Sequence, residues 1–208
     1  MTPDPHKLVQ AIAVKPSTHR DTICAVALAS TRAFLTPHNR SCWHEWLKAS
    51  MTKSVRRATK PAALAACRAD PLVTATAKVG EAQAFAYLPM PYEDFPKHLS
   101  RLQVSGLNIA DEPSGISLDD RALFVEINAE LDMTTGKTAA QVAHALVLWS
   151  LEAPQAVLDR FWAAPSLHLR YCDFDDPEEP GDIVIHDNGL TEVVPGSATV
   201  RIPRAARW

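Results

Sequence analysis

The chain has 208 residues, 47% of them hydrophobic and 22% charged, and a formal net charge of −3. That length holds one good core or two small ones, and a mildly acidic balance argues against a general nucleic-acid binder, whose affinity comes from neutralising phosphates. No apolar run is long enough to span a membrane, no basic segment leads into such a run at the N-terminus, and Cys24, Cys42, Cys67 and Cys172 show neither CxxC spacing nor a disulfide framework, so a reducing cytoplasm is expected.

Residues 8–14 read as a strand and 21–30 as an Ala-rich helix. A second helix around Trp43 and Trp46 follows, then a basic strand over 53–58. The run Lys53-Ser54-Val55-Arg56-Arg57-Ala58-Thr59-Lys60 is the densest positive segment. It is either a strand edge protected by charge or a patch for an RNA backbone, with Lys53, Arg56 and Arg57 as the contacts. His38, Cys42 and His44 do not have the spacing of a closed four-ligand zinc site, and no metal is expected. Residues 82–88 read as a strand. Residues 92–102 read as a helix with acidic residues first and Phe95, Leu99 and Leu102 on one face. Residues 111–120 form the clearest linker.

A strand over 122–127 then opens the most informative stretch, in which residues 131–145 pass into an Ala-rich helix. Lys137 falls in that helix's first turn, where the macrodipole disfavours a cation by a few tenths to about 1 kcal/mol. A lysine at that end suggests an anion or a reacting carbonyl to meet. Lys137, Gln141 and His144 form one polar stripe, opposite Ala139, Val142, Ala143 and Leu146. Gly136-Lys137-Thr138 is not a nucleotide loop, because Leu131 stands where the phosphate cradle needs its second glycine. A helix near Phe161 and Trp162, a basic strand over 167–171, an acidic segment over 173–181 and a hairpin over 185–200 complete the chain.

The strand, the helix motif GK-x-AAQ-x-x-HA from Gly136 and the motif DxG-x-T-x-x-x-PGS-x-T-V from Asp187 together resemble the type 2 peptidyl-tRNA hydrolases, over about residues 120–204. The resemblance implies a small α/β fold, a mixed β-sheet with helices packed on it. It implies metal-independent, cofactor-free cleavage of the ester joining a peptide to the terminal ribose of tRNA. Lys137, Asp187, Thr191 and Thr199 match the family's catalytic residues, and Gln141 and His144 fall where they would touch substrate. Peptidyl-tRNA is the implied partner, with neither DNA nor membrane, and a homodimer is compatible with this reading. Asn128, Thr135 and Leu190 stand where the family carries basic residues. The alternative is therefore a non-catalytic binding or assembly protein on the same fold.

Residues 21–30 align with residues 137–146 without gaps. Thr22 meets Thr138, Val26 meets Val142, Ala27 meets Ala143 and Ala29 meets Ala145, and each half continues through a Trp-bearing helix to a basic strand. This reads as a diverged repeat without chemistry, since Asp21, Ala25 and Leu28 stand opposite Lys137, Gln141 and His144. The expected organisation is a non-catalytic repeat over 1–90, a helix and linker over 91–118 and a catalytic region over 119–208. Two prolines and five carboxylates in residues 173–181 exclude the helix that the family inserts there. The helix at 92–102 is expected to cover the apolar sheet face so exposed, and the two halves to pack as one pseudo-symmetric unit.

Overall fold

A computed structural model describes residues 7–36, 40–111, 122–175, 178–187 and 192–204. In chain order the first part contains β1 (Leu8–Lys15), α1 (His19–Leu35), α2 (Arg40–Lys48), β2 (Lys53–Arg57), α3 (Pro61–Ala69), β3 (Val73–Val79), β4 (Ala82–Pro91) and the single turn α4 (Lys97–Ser100). The second part contains β5 (Leu123–Asn128), α5 (Thr135–Glu152), α6 (Gln155–Ala163), β6 (Leu167–Cys172), β7 (Ile183–His186) and β8 (Ala198–Ile202). The protein is thus α/β, with two mixed four-stranded sheets ordered β2-β1-β4-β3 and β6-β5-β8-β7. Both follow one pairing scheme: β1 and β5 lie parallel to β2 and β6 and antiparallel to β4 and β8, and β3 and β7 complete the sheets antiparallel to β4 and β8.

Helices α1 and α5 begin alike. Thr18 and Thr134 cap them, each side chain accepting from the backbone N–H three residues on, at Asp21 and Lys137. The hydroxyls of Thr22 and Thr138 donate back to the carbonyls of those caps, at 2.7 and 3.0 Å. Alanines at 25, 27, 29, 139, 143 and 145 are fully buried, which lets α1 and α5 pack against each other between the sheets. The main core draws on both halves: Ile12, Val14, Ile23, Val26 and Trp46 meet Val125, Ile127, Val142, Leu146, Trp149, Val200 and Ile202 in one cluster. No described helix is long and apolar enough to cross a membrane.

The other face of the first sheet is also apolar. Val9, Ala11, Ala13, Phe85 and Tyr87 pack under Cys67 of α3 and under Phe95 and Leu99. The expected helix over 92–102 is here only a 3-10 turn, Tyr92–Asp94, followed by α4. Pro96 breaks it, by lacking an N–H and by forcing Phe95 into extended backbone at ψ 130°. This segment covers the first sheet rather than the second. Helix α3 and strand β3 lie where no element was expected.

The bare apolar face anticipated on the second sheet is absent among the described residues, because alternation along its strands places polar groups there. Glu126 pairs with both Arg170 and Arg201, the latter at 2.6 Å. The rings of Phe124 and His168 lie 4.8 Å apart. Two residues of the acidic segment lie on this face, Phe174 4.8 Å beneath Arg201 and Glu178 2.9 Å from His186. A charged surface of this kind needs no covering helix.

Candidate functional site

The start of α5 is tied to the strand hairpin beyond it. Both carboxylate oxygens of Glu192 accept from Thr134, one from its backbone N–H and one from its hydroxyl, each at 2.9 Å. One turn into the helix, the Lys137 ammonium pairs with Asp187 Oδ1 across a separation of fifty residues. Four residues later Gln141 Nε2 donates to that same oxygen at 2.7 Å, as the i, i+4 spacing allows. Asp187 is held by its own backbone: its N–H donates to Ser197 O at 2.9 Å and its carbonyl accepts from Gly196 N–H at 2.7 Å. The pair is largely withdrawn from solvent, the Lys137 side chain being 11% and Asp187 6% exposed.

The opposite wall comes from the N-terminal half. Helix α2 ends at Lys48, and Met51, with a left-handed φ of 46°, turns the chain into β2. Trp46 Nε1 donates to Thr52 O at 2.8 Å, which fixes the indole beneath the start of that strand. Lys53 Nζ lies 4.3 Å above this ring and 3.1 Å from His144 Nδ1, and the indole and imidazole planes differ by only 11° at 6.3 Å. Burial holds the Lys53 amine well below the usual lysine range. Burial, Lys53 and Lys137 together push His144 well below the ordinary histidine value. The cleft between these walls has a volume of about 370 Å³, and Lys53, Lys137, Gln141, His144, Asp187 and Glu192 line it.

The structure therefore brings together Lys137, Gln141 and Asp187, and beside them His144 and Lys53. Thr199 is fully buried and its hydroxyl donates to Ile185 O at 2.9 Å, so its bond joins β8 to β7. Thr191 lies outside the described residues. Arg56 is 1% exposed and points behind the first sheet, where it donates to the carbonyls of Leu99, Ser100 and Leu102. Arg57 alternates to the side of Lys53, and an added Cβ on cleft-lining Gly106 would lie 3.8 Å from its guanidinium. One cleft residue, Glu192, and one residue buried behind the cleft wall, Trp46, were not anticipated in the sequence. Glu192 stands next to Thr191 in the motif, but nothing local ties it to a cap 58 residues away; Trp46 reads as an ordinary core aromatic.

Comparison with protein-family models, with curated proteins and with solved structures finds no match for this chain.

Proposed function

We propose that the chain is a peptidyl-tRNA hydrolase-like esterase built from two diverged copies of one βααβββ unit, of which only the second does chemistry. The observation that carries this reading is the convergence of Lys137 and Gln141 on one carboxylate oxygen of Asp187 in the cleft. These are the residues that the two separated motifs single out. The duplication draws support from the shared strand order and from the matching Thr18/Thr22 and Thr134/Thr138 caps.

In this reading Asp187 takes a proton from water as the water oxygen bonds to the ester carbonyl carbon. Lys137 turns from the carboxylate to the oxyanion that forms. The tetrahedral intermediate then expels the ribose oxygen, which recovers the proton from Asp187. Thr199 holds β8 against β7 beside the aspartate, and Thr191 keeps the role the motif gives it. A cleft of about 370 Å³ takes an aminoacyl ester and its ribose, leaving the body of the RNA outside. Of the basic run, Arg57 rather than Arg56 stands on that side, while the Lys53 amine lies within the cleft wall. The proposed setting is the cytoplasm, with peptidyl-tRNA as substrate.

The alternative, a non-catalytic binding protein on the same fold, draws on the Thr199 hydroxyl, which is spent on Ile185. Release of N-acetyl amino acid from N-acetyl-aminoacyl-tRNA by the purified protein separates the two. The esterase reading expects turnover, with Asp187→Asn slower by about 100-fold or more. Binding without turnover, or equal rates in both proteins, refutes it.

A further inference from the structure

We propose that Lys53, delivered from the N-terminal half, is a positioning residue that holds His144 as an Nε2–H hydrogen-bond donor on the cleft wall, for an ester or ribose oxygen of the substrate. The substrate assignment rests on the esterase reading above; the arrangement of the two side chains does not.

The geometry is that of a clamp. Lys53 Nζ is 3.1 Å from His144 Nδ1, and the Trp46 indole lies under the amine at 4.3 Å and nearly parallel to the imidazole. The indole is itself fixed by its bond to Thr52 O. As ammonium or as amine, Lys53 Nζ offers N–H donors; with Nδ1 as their acceptor the ring proton resides on Nε2. With Nδ1 committed, Nε2–H is what the ring presents to a ligand in the cleft that His144 lines. A neutral imidazole with a fixed N–H can polarise a substrate oxygen without giving up its proton.

The two lysines near the ring act in the same direction. Lys53 reaches it from β2 and Lys137 stands on its own helix, while His186 of β7, Asp187 just beyond it and Glu192 line the same cleft, the two carboxylates opposing the lysines. Burial together with the two lysines favours the neutral ring. Lys53 is also badly placed to be the phosphate contact that its basic run suggests, because its amine is packed against two rings. The first half has no such device: Leu28 occupies the position that corresponds to His144.

Nitrogen-15 NMR of the His144 imidazole across pH tests this in the full chain, with the signal assigned by His144→Gln. The native protein is expected to show a neutral Nε2–H ring at pH 6. Lys53→Met is expected to raise the ring's pKa toward the ordinary histidine value of about 6.5, and Lys53→Arg to restore the native behaviour. Lys53→Gln repeats the test should Lys53→Met unfold. In the hydrolysis assay Lys53→Met should lower kcat roughly tenfold with little change in KM. It should also move the acid limb of the pH profile upward, and Lys53→Arg should rescue both. An Nδ1–H ring in the native protein, or an unchanged ring pKa in both Lys53→Met and Lys53→Gln, overturns the proposal. So does a raised KM at unchanged kcat, the signature of a phosphate contact. If no form hydrolyses ester the esterase reading fails, and the NMR result still decides the role of Lys53.

Discussion

The two halves bring a hairpin to the start of a helix in different ways. In the first half β3 and β4 are joined through Gly80 and Glu81, and the turn closes against the helix. Gly80 has φ +51°, and an added Cβ there would collide with the Asp21 carboxylate, 2.8 Å from its Cγ. Asp21 also accepts from Ser17 Oγ at 3.2 Å, which ties its carboxylate into the corner. In the second half the connection from β7 to β8 spans residues 187–197 and presents Asp187 to Lys137. Gly196, at φ +86°, has open space where a Cβ would project. One strand order thus supports a sealed corner and an open cleft. The difference lies in hairpin length and in a reversal of charge at the helix start, from Asp21 to Lys137.

The strongest way to break this comparison is to separate the halves. A fragment of residues 117–208 keeps every proposed catalytic residue but loses Ile12, Ile23, Val26 and Trp46 from the shared core. It should bind ANS and unfold without a cooperative transition. Cooperative unfolding of a monomeric fragment would make the first half an independent appendage.

A smaller effect is expected at a matched pair of arginines. Arg56 pairs in register with Ala13 on β1, and Arg170 with Glu126 on β5. Arg56 is buried and bonds three carbonyls, whereas the Arg170 side chain is 60% exposed. Arg56→Met should destabilise by about 3 kcal/mol or more, because it leaves buried acceptors unmet. Arg170→Met should change stability by less than about 1 kcal/mol. Urea midpoints measure both, and equal losses would deny that the outer faces of the two sheets differ.

The smallest contrast sharpens the account of the hairpins. Gly196→Ala meets only the strain of its positive φ, about 1 kcal/mol. Gly80→Ala adds a collision with Asp21 and should lose more, with the excess recovered in the double variant Gly80→Ala/Asp21→Ala. Thermal melts of the four proteins show whether Asp21 is what seals the first corner.

What the sequence revealed follows from which signals are local. The β5–α5 unit was legible because strand periodicity and an Ala-rich face lie within a few residues of one another. The meeting of Lys137 with Asp187 became visible only through the spacing of two motifs, since no local pattern reports a contact between residues so distant. Arg56 was grouped with Lys53 and Arg57 as a positive run, although strand alternation already set residues 53, 55 and 57 on one face and 54 and 56 on the other. The same alternation in Phe124-Val125-Glu126-Ile127-Asn128 carried the polar outer face of the second sheet. Pro61 at the first position of α3 was a usable start signal, masked by the basic run before it. Pro96 likewise argued against a continuous helix over 92–102. The clamp of Trp46, Lys53 and His144 had no signal of its own, because tertiary packing alone creates it.

The central claim is that ester cleavage belongs to the second corner and not to the first. Single-turnover cleavage of N-acetyl-aminoacyl-tRNA by Lys137→Ala and Asp21→Ala, measured side by side with the native protein, tests it most directly. The account expects Lys137→Ala to be slower by about 100-fold or more and Asp21→Ala to stay within about twofold of the native rate, because Asp21 only seals a turn. Native rates from Lys137→Ala, or an equal loss in both variants, would contradict it.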